Sequence, residues 1–125
     1  MSTLRVNSLL NAAGTDTPAI DGLAKAWVNF NGQGTVAIRA QYNVSSITDN
    51  GTGDYTVNFA TALADANYSS VASSAKADTN NDGWMIANAG GFSNSLQTSS
   101  SCRVRTVVGN GNAADPQQVT FAAFR

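Results

Sequence analysis

The side chains that most often perform chemistry are few in this sequence. Histidine is absent and the only cysteine is Cys102, so Ser-His-Asp and Cys-His nucleophiles and His-based metal sites are excluded. A hydrolase using two carboxylates would need two aspartates about 5–10 Å apart, and Asp49 and Asp54 flank one predicted turn. Aspartate beside asparagine and glycine is also what a hairpin loop favours. We therefore expect no catalytic residue, no cofactor and no enzyme activity.

The segment DTNNDG, residues 78–83, matches the first half of a calcium-binding loop. The complete loop needs an acidic residue where this chain has Ala89, and its flanks are normally helices, whereas the flanks here are predicted strands. A hairpin turn is the simpler interpretation. A weak calcium site at Asp78, Asn80 and Asp82 is the alternative.

Trp84 directly follows this asparagine-rich turn. An aromatic ring beside Asn80, Asn81 and Asp82 suits sugar recognition, because sugars stack on ring faces and hydrogen-bond to amides and carboxylates. Burial of Trp84 at the start of a core strand is the alternative.

Arg103 and Arg105 are predicted on the same side of a strand, where an exposed arginine pair could hold a carboxylate or phosphate. A solvated strand surface, or a salt bridge to an aspartate of another subunit, would also explain them. Asn110 and Asn112 lie in the polar loop over residues 109–118. The candidate ligand-binding residues are therefore Asn80, Asn81, Asp82, Trp84, Arg103, Arg105, Asn110 and Asn112.

The elements that position these residues are predicted to be strands. Only 12% of the residues are charged, against about 25% in an ordinary domain, and glutamate, a usual helix-surface residue, is absent. Two hairpins are predicted, Trp27–Phe30 with Thr35–Arg39 and Val44–Thr48 with Tyr55–Phe59. About eight alternating segments separated by turn signals indicate an all-β fold, an antiparallel sandwich or small barrel.

The domain organisation follows from the same pattern. We assign residues 1–23 to an N-terminal strand and linker, and residues 24–125 to a single β domain. Residues 60–67 fit either a helical turn or a loop. In the predicted strand over 102–108, Cys102 alternates with the arginines, so we expect a buried cysteine that acts as a small hydrophobe.

Composition also limits the partners. A net charge of −1 with two lysines excludes a nucleic-acid footprint, and no apolar run approaches the roughly 20 residues of a membrane helix. The N-terminus has no signal-peptide pattern, so synthesis in the cytoplasm is expected. Trp27 is predicted opposite Val28 and Phe30, as core or as subunit interface. Apolar residues on both faces of a strand favour an oligomer.

The stretch KAWVNFNGQGTVAIRAQYNVSSITDNGTGDYTVNF, residues 25–59, resembles a segment near the C-termini of bacteriophage tail-fibre proteins, and the similarity extends to Tyr68. The start, STLRVNSLLNAAGT, is also similar to fibre sequences. The resemblance implies a β-rich, homotrimeric tip or knob on a phage virion. Its partners would be copies of itself, other fibre, baseplate or capsid proteins, and the host surface.

Three functions remain open at this point. The first is a virion structural protein that displays loops 78–84, 90–101 and 109–116 for attachment to a host glycan. The second is a capsid decoration or baseplate assembly protein that binds no receptor. The third is a glycan-cleaving fibre tip that uses a pair of aspartates.

Overall fold

The computed structural model describes Ser2 and residues 22–75, 86–89, 96–109 and 111–125. In that part of the chain, eight strands form two antiparallel four-stranded sheets, which confirms the all-β prediction. Sheet A has the order β2-β1-β8-β5 and sheet B the order β3-β4-β7-β6. The strands are β1 (Ala24–Asn31), β2 (Ala37–Tyr42), β3 (Val44–Gly51), β4 (Asp54–Phe59), β5 (Ser69–Ala75), β6 (Ile86–Ala89), β7 (Ser101–Val107) and β8 (Gln118–Phe124).

The two sheets pack face to face around one apolar core. In the central strands every second residue is buried, as expected for strands with one face in the core. Phe30 of sheet A contacts Tyr55 of sheet B edge to face, with ring centroids 5.2 Å apart. Phe59 and Phe121 stack across the same interface at 6.2 Å. The architecture is therefore a β-sandwich.

Both predicted hairpins form, but they belong to different sheets. Trp27 pairs with Tyr42 in sheet A, whereas Val57 pairs with Ile47 in sheet B. The second strand of the first hairpin was predicted to end at Arg39, but β2 continues to Tyr42. A single residue, Asn43, separates β2 from β3. Of the two alternatives predicted for residues 60–67, a helical turn and a loop, the structure shows a loop, since no helix covers these residues.

Asn43 forms the corner at which the chain passes from sheet A to sheet B. Its φ of 53° lies in the left-handed region, which asparagine tolerates better than most residues. Its Nδ2 donates to the carbonyl oxygens of Lys25 and Thr61, each at 3.0 Å. Its Oδ1 accepts from the Thr61 amide at 2.7 Å. One side chain thus joins the corner to β1 and to the loop after β4.

A second set of hydrogen bonds closes the opposite end of the sandwich. The fully buried Tyr55 hydroxyl lies 2.8 Å from Asp115 Oδ1 and 2.9 Å from the Gly32 carbonyl oxygen. A phenol has one hydrogen, so the two acceptors share it. Asp115 Oδ1 also accepts from the Gly53 amide at 2.7 Å. Both hairpin turns are therefore tied to the loop between β7 and β8.

The loops lie at two opposite ends of the molecule, as the pairing of the strands shows. The hairpin end carries both hairpin turns, the end of β5, the start of β6 and the β7–β8 loop. The corner end carries Asn43, the β4–β5 loop, the start of β7 and the end of β8. The strands flanking loops 78–84 and 109–116 thus meet at the hairpin end, whereas the strand after loop 90–101 begins at the corner end.

The close packing at the hairpin end predicts that replacing Gly53 lowers stability more than replacing Gly34, although both glycines have the same φ. Gly53 and Gly34 both have φ of 64°, but a methyl group on Gly53 would overlap the Thr106 carbonyl oxygen and the Ala114 amide nitrogen, whereas Gly34 faces open space. We expect Gly34→Ala to cost about 1–2 kcal/mol from backbone strain alone, and Gly53→Ala about 4 kcal/mol or more. Urea unfolding measures both. Equal losses would contradict the packing described.

The corner predicts a measurable cost for losing the Asn43 side chain. Asn43→Gly keeps the left-handed backbone accessible and removes only the hydrogen bonds to Lys25 and Thr61. We expect it to lower the free energy of unfolding by about 1–3 kcal/mol. Asn43→Ala should cost about 1 kcal/mol more, because alanine disfavours positive φ. A glycine variant as stable as the wild type would show that the corner does not depend on this side chain.

Candidate functional site

The outer face of sheet B is polar, and several of its side chains hydrogen-bond to one another. Its outward residues on β3, β4 and β7 are Ser46, Thr48, Asn50, Asp54, Thr56, Asn58, Ser101, Arg103 and Arg105. Asn58 Nδ2 donates to Ser46 Oγ at 3.1 Å and to Thr48 Oγ1 at 2.9 Å. Asn50 Nδ2 donates to Thr56 Oγ1 at 2.9 Å. Side chains on adjacent strands thus bond to each other, which suits a face that remains in water.

Arg103 on this face is engaged within the chain. Its Nε and Nη2 donate to the two carboxylate oxygens of Asp54, the first at 2.6 Å. The hydrogen bond from Arg103 is the main cause that lowers the pKa of Asp54, and the charge of Arg105 acts in the same direction. Arg103 therefore forms a salt bridge with an aspartate of its own chain, whereas the alternative given from sequence was an aspartate of another subunit. A ligand anion at Arg103 would have to compete with Asp54.

Asp49, the other member of the suggested carboxylate pair, has a role in the turn. Its Oδ1 accepts from the Gly51 amide at 2.9 Å, which is the side-chain-to-backbone bond typical of aspartate in hairpin loops. Cys102 is fully buried as a free thiol, as predicted.

Of the remaining predicted ligand residues, the structure describes Arg105 and Asn112. Arg105 lies on the outer face of sheet B, and Asn112 lies beyond the end of β7, where its carbonyl oxygen accepts from the Val108 amide. The other candidates, Asp78, Asn80, Asn81, Asp82, Trp84 and Asn110, lie outside the described residues. Within the described ranges, no cluster of three or more metal-ligating side chains occurs and no helix is long and apolar enough to cross a membrane.

The outer face of sheet A differs from that of sheet B because it carries an apolar patch. Trp27, Val71 and Phe124 are exposed by 39%, 57% and 36%, and Ala122 lies between them. We call these four residues the outer patch. The register places Tyr42, Trp27, Ala122 and Val71 in one row across all four strands. Trp27 is therefore a surface residue and not a core residue.

Strand β5 borders the outer patch and forms one edge of sheet A. Its sequence, SSVASSA, contains no charged residue and no proline, and none of the described strands pairs with its free side. Edge strands usually carry such residues, since an unprotected edge can pair with another chain. The edge strands β2 and β3 each carry a charge, at Arg39 and Asp49 respectively. The apolar patch thus adjoins an uncharged edge strand, and β6 of sheet B lies close beside that strand.

A pocket of about 550 Å³ opens at the corner end, and we call it the corner pocket. This volume falls within the range of about 300–1,000 Å³ that is typical of small-molecule sites. It is lined by Lys25, Tyr42, Asn43, Thr61, Ala62, Leu63, Ala64 and Arg125. Tyr42 presents an aromatic ring that is 57% exposed, and the loop residues 62–64 are apolar. The lining combines a flat aromatic surface with hydroxyl groups and cations.

Hydrogen bonds hold the walls of the corner pocket in place. Asn43 fixes Thr61, and the Leu63 amide donates to the Ser99 carbonyl oxygen at 2.8 Å. Asp65 accepts from Arg125 Nε at 2.9 Å and from Nη2 at 2.8 Å. The hydrogen bond from Arg125 is the main cause that lowers the pKa of Asp65 to about 2. The pocket is thus formed before any ligand binds.

A scan against protein-family models matches no family, and searches of curated proteins and of solved structures find no match either. The similarity of residues 25–68 to tail fibres therefore stays a prediction. The outer patch, the β5 edge and the corner pocket are the features from which a function can be argued.

Sequence reasoning did not identify Tyr42 or Val71 as functional residues. Tyr42 lies 83 positions from Arg125, its neighbour in the pocket lining, and no local pattern connects them. For Val71 a signal existed, namely a single large apolar residue in a serine-rich strand of alternating burial.

The ion pair between Asp65 and Arg125 at the corner pocket predicts that Asp65 titrates at an unusually low pH. The pKa of Asp65 is about 2 in the folded chain against an ordinary 3.8. Its contribution to stability is therefore present above pH 3.8 and is lost as the pH falls toward 2. We expect Arg125→Gln to raise the pKa of Asp65 toward 3.8 in a carboxyl-detected NMR titration. Asp54, which pairs with Arg103, is the internal control and should not move.

An Asp65 that titrates near 3.8 in the wild type would contradict the ion pair. An Arg125→Gln variant that leaves its pKa unchanged would do so as well.

Proposed function

We propose that this chain is a non-enzymatic structural protein of a phage virion, the tip or knob of a tail fibre, that assembles as a homotrimer and attaches to a host-surface glycan. The outer patch beside the uncharged edge strand β5 is the observation that carries the proposal. It is a surface suited to subunit assembly. The resemblance of residues 25–68 to tail fibres supplies the virion context.

The physics of the outer patch favours self-association. Burying the exposed parts of Trp27, Val71 and Phe124 would contribute on the order of 1 kcal/mol each. No charged residue lies on β5 to oppose contact, and serines on either side of Val71 provide a polar rim. Closed symmetry covers such an edge, whereas open pairing would continue into a filament. A three-fold arrangement gives each subunit two contacts and closes the assembly.

The remaining surfaces fit a protein exposed on a particle. The polar face of sheet B needs no partner because its side chains bond to each other. The strand ends at the hairpin end flank loops 78–84 and 109–116, which we propose are displayed outward. No nucleic acid, membrane or cofactor is part of the proposal, and the chain would reach the virion after synthesis in the host cytoplasm.

Capsid decoration or baseplate assembly is the alternative that the same outer patch supports. A decoration protein also needs an apolar contact surface, but it would contact capsid subunits and bind no receptor. Antibody labelling of intact virions, viewed by electron microscopy, separates the two. We expect label at the tail tip, and label confined to the head would replace the fibre proposal by decoration.

The assembly predicts that one charge in the outer patch disrupts the oligomer. Val71→Asp places a carboxylate in both the patch and the β5 edge, where burial would desolvate it. We expect light scattering at tens of micromolar to give three times the chain mass for the wild type and one chain mass for Val71→Asp. Thr48→Asp, on the polar face of sheet B, is the matched control and should remain trimeric.

A monomeric wild type at these concentrations would contradict the proposed assembly. Equal dissociation by Val71→Asp and Thr48→Asp would show that charge alone, and not its location, controls the oligomer.

A further inference from the structure

We propose that the corner pocket binds one neutral pyranose unit of a saccharide, stacked on the Tyr42 ring and hydrogen-bonded by Thr61 and Arg125. The inference rests on the proposed attachment to a host glycan and names a site and a ligand class for it. It places binding at the corner end, whereas the strands that flank loops 78–84 and 109–116 meet at the hairpin end.

The aromatic wall is the first argument for a sugar. A pyranose has an apolar face of C–H groups and a periphery of hydroxyl groups. Tyr42 offers the complementary surface, a ring more than half exposed at the mouth of a pocket. Ala62, Leu63 and Ala64 continue the apolar wall. A lining of this size and composition matches a small ligand that is apolar on one side and polar at its edge.

The second argument for a sugar is that the pocket has hydrogen-bonding groups without a partner among the described residues. Arg125 uses Nε and Nη2 to bind Asp65, and the other N–H groups of its guanidinium make no hydrogen bond to any described residue. The hydroxyl of Thr61 is also without a partner among the described residues. Because Asp65 fixes the guanidinium, Arg125 can donate to a ligand with little loss of side-chain entropy.

The charges of the pocket favour a neutral ligand over an anion. Lys25 and Arg125 are the two charged residues of the lining. Asp65 compensates Arg125, and Lys25 already has an interaction within the chain. Stacking and hydroxyl hydrogen bonds, and not ion pairing, would therefore supply most of the affinity.

The pocket and the outer patch can be occupied together. Tyr42 lies at one end of the row that crosses sheet A, on edge strand β2, whereas Val71 lies at the opposite end on β5. An assembly centred on β5 and β8 leaves the Tyr42 side open. Val71→Asp and Tyr42→Ala, which lie at opposite ends of this row, therefore test the two surfaces separately.

An NMR titration of the isotope-labelled full chain tests the site. The probes are the methyl pyranosides of glucose, galactose and mannose, with glycerol as a control for a generic polyol. We expect at least one glycoside to shift the amides of Tyr42 and residues 61–64, saturating in the millimolar range, while glycerol does not. Tyr42→Ala should weaken that binding about tenfold or more, a loss equivalent to about 1.4 kcal/mol.

Three further variants keep the test independent of folding defects. Tyr42→Phe retains the ring and should bind within about twofold of the wild type, whereas Thr61→Val should weaken binding about fivefold. Arg39→Gln removes a cation from the same strand, β2, outside the pocket lining, and should have no effect.

No shift with any of the three glycosides would overturn the proposal, as would equal shifts with glycerol or undiminished binding by a folded Tyr42→Ala variant. Light scattering on the same samples separates this outcome from failure of the proposed function. A trimer that binds no glycoside overturns the pocket alone. A monomer that binds one overturns the assembly and leaves the site intact.

Discussion

The hydrogen bonds of Asn43, at the corner between the two sheets, join that corner to β1 and to the β4–β5 loop. Asn43 donates to two carbonyl oxygens and accepts from one amide. Because it sits where β2 becomes β3, it links the relative position of the two sheets to the position of the β4–β5 loop. The same loop lines part of the corner pocket, so the proposed ligand site depends in part on the bonds that hold the corner.

The hairpin end is closed by a different kind of interaction. There, the buried Tyr55 hydroxyl and Asp115 join the two hairpin turns to the β7–β8 loop. Burial, reinforced by the neighbouring carboxylate, raises the pKa of Tyr55 well above its usual range, so the hydroxyl remains protonated. The two ends are thus stabilised by separate sets of hydrogen bonds, and between them the strands present one polar outer face and one that carries an apolar patch. This division allows one face to serve assembly while the other remains solvated.

Alternation along the strands predicted the inward and outward faces well. Cys102 was expected inside and Arg103 outside, and both are, because burial of one face imposes a period of two. Local turn chemistry also identified both hairpins. It could not show that they join different sheets, since the pairing of β1 with β8 brings together segments from opposite ends of the domain. Arg103 was visible as a candidate ligand, but its partner Asp54 lies 49 residues earlier, and no local pattern indicates such a contact.

We propose that the two outer faces differ in role, with sheet A assembling through the outer patch and β5. Hydrogen–deuterium exchange of the wild-type protein, compared at high and low concentration, tests this directly. We predict that amides of β5 exchange more slowly at high concentration, while those of edge strand β3 in sheet B exchange equally at both. Exchange of β5 that is independent of concentration, or protection that appears on β3 instead, would contradict the account.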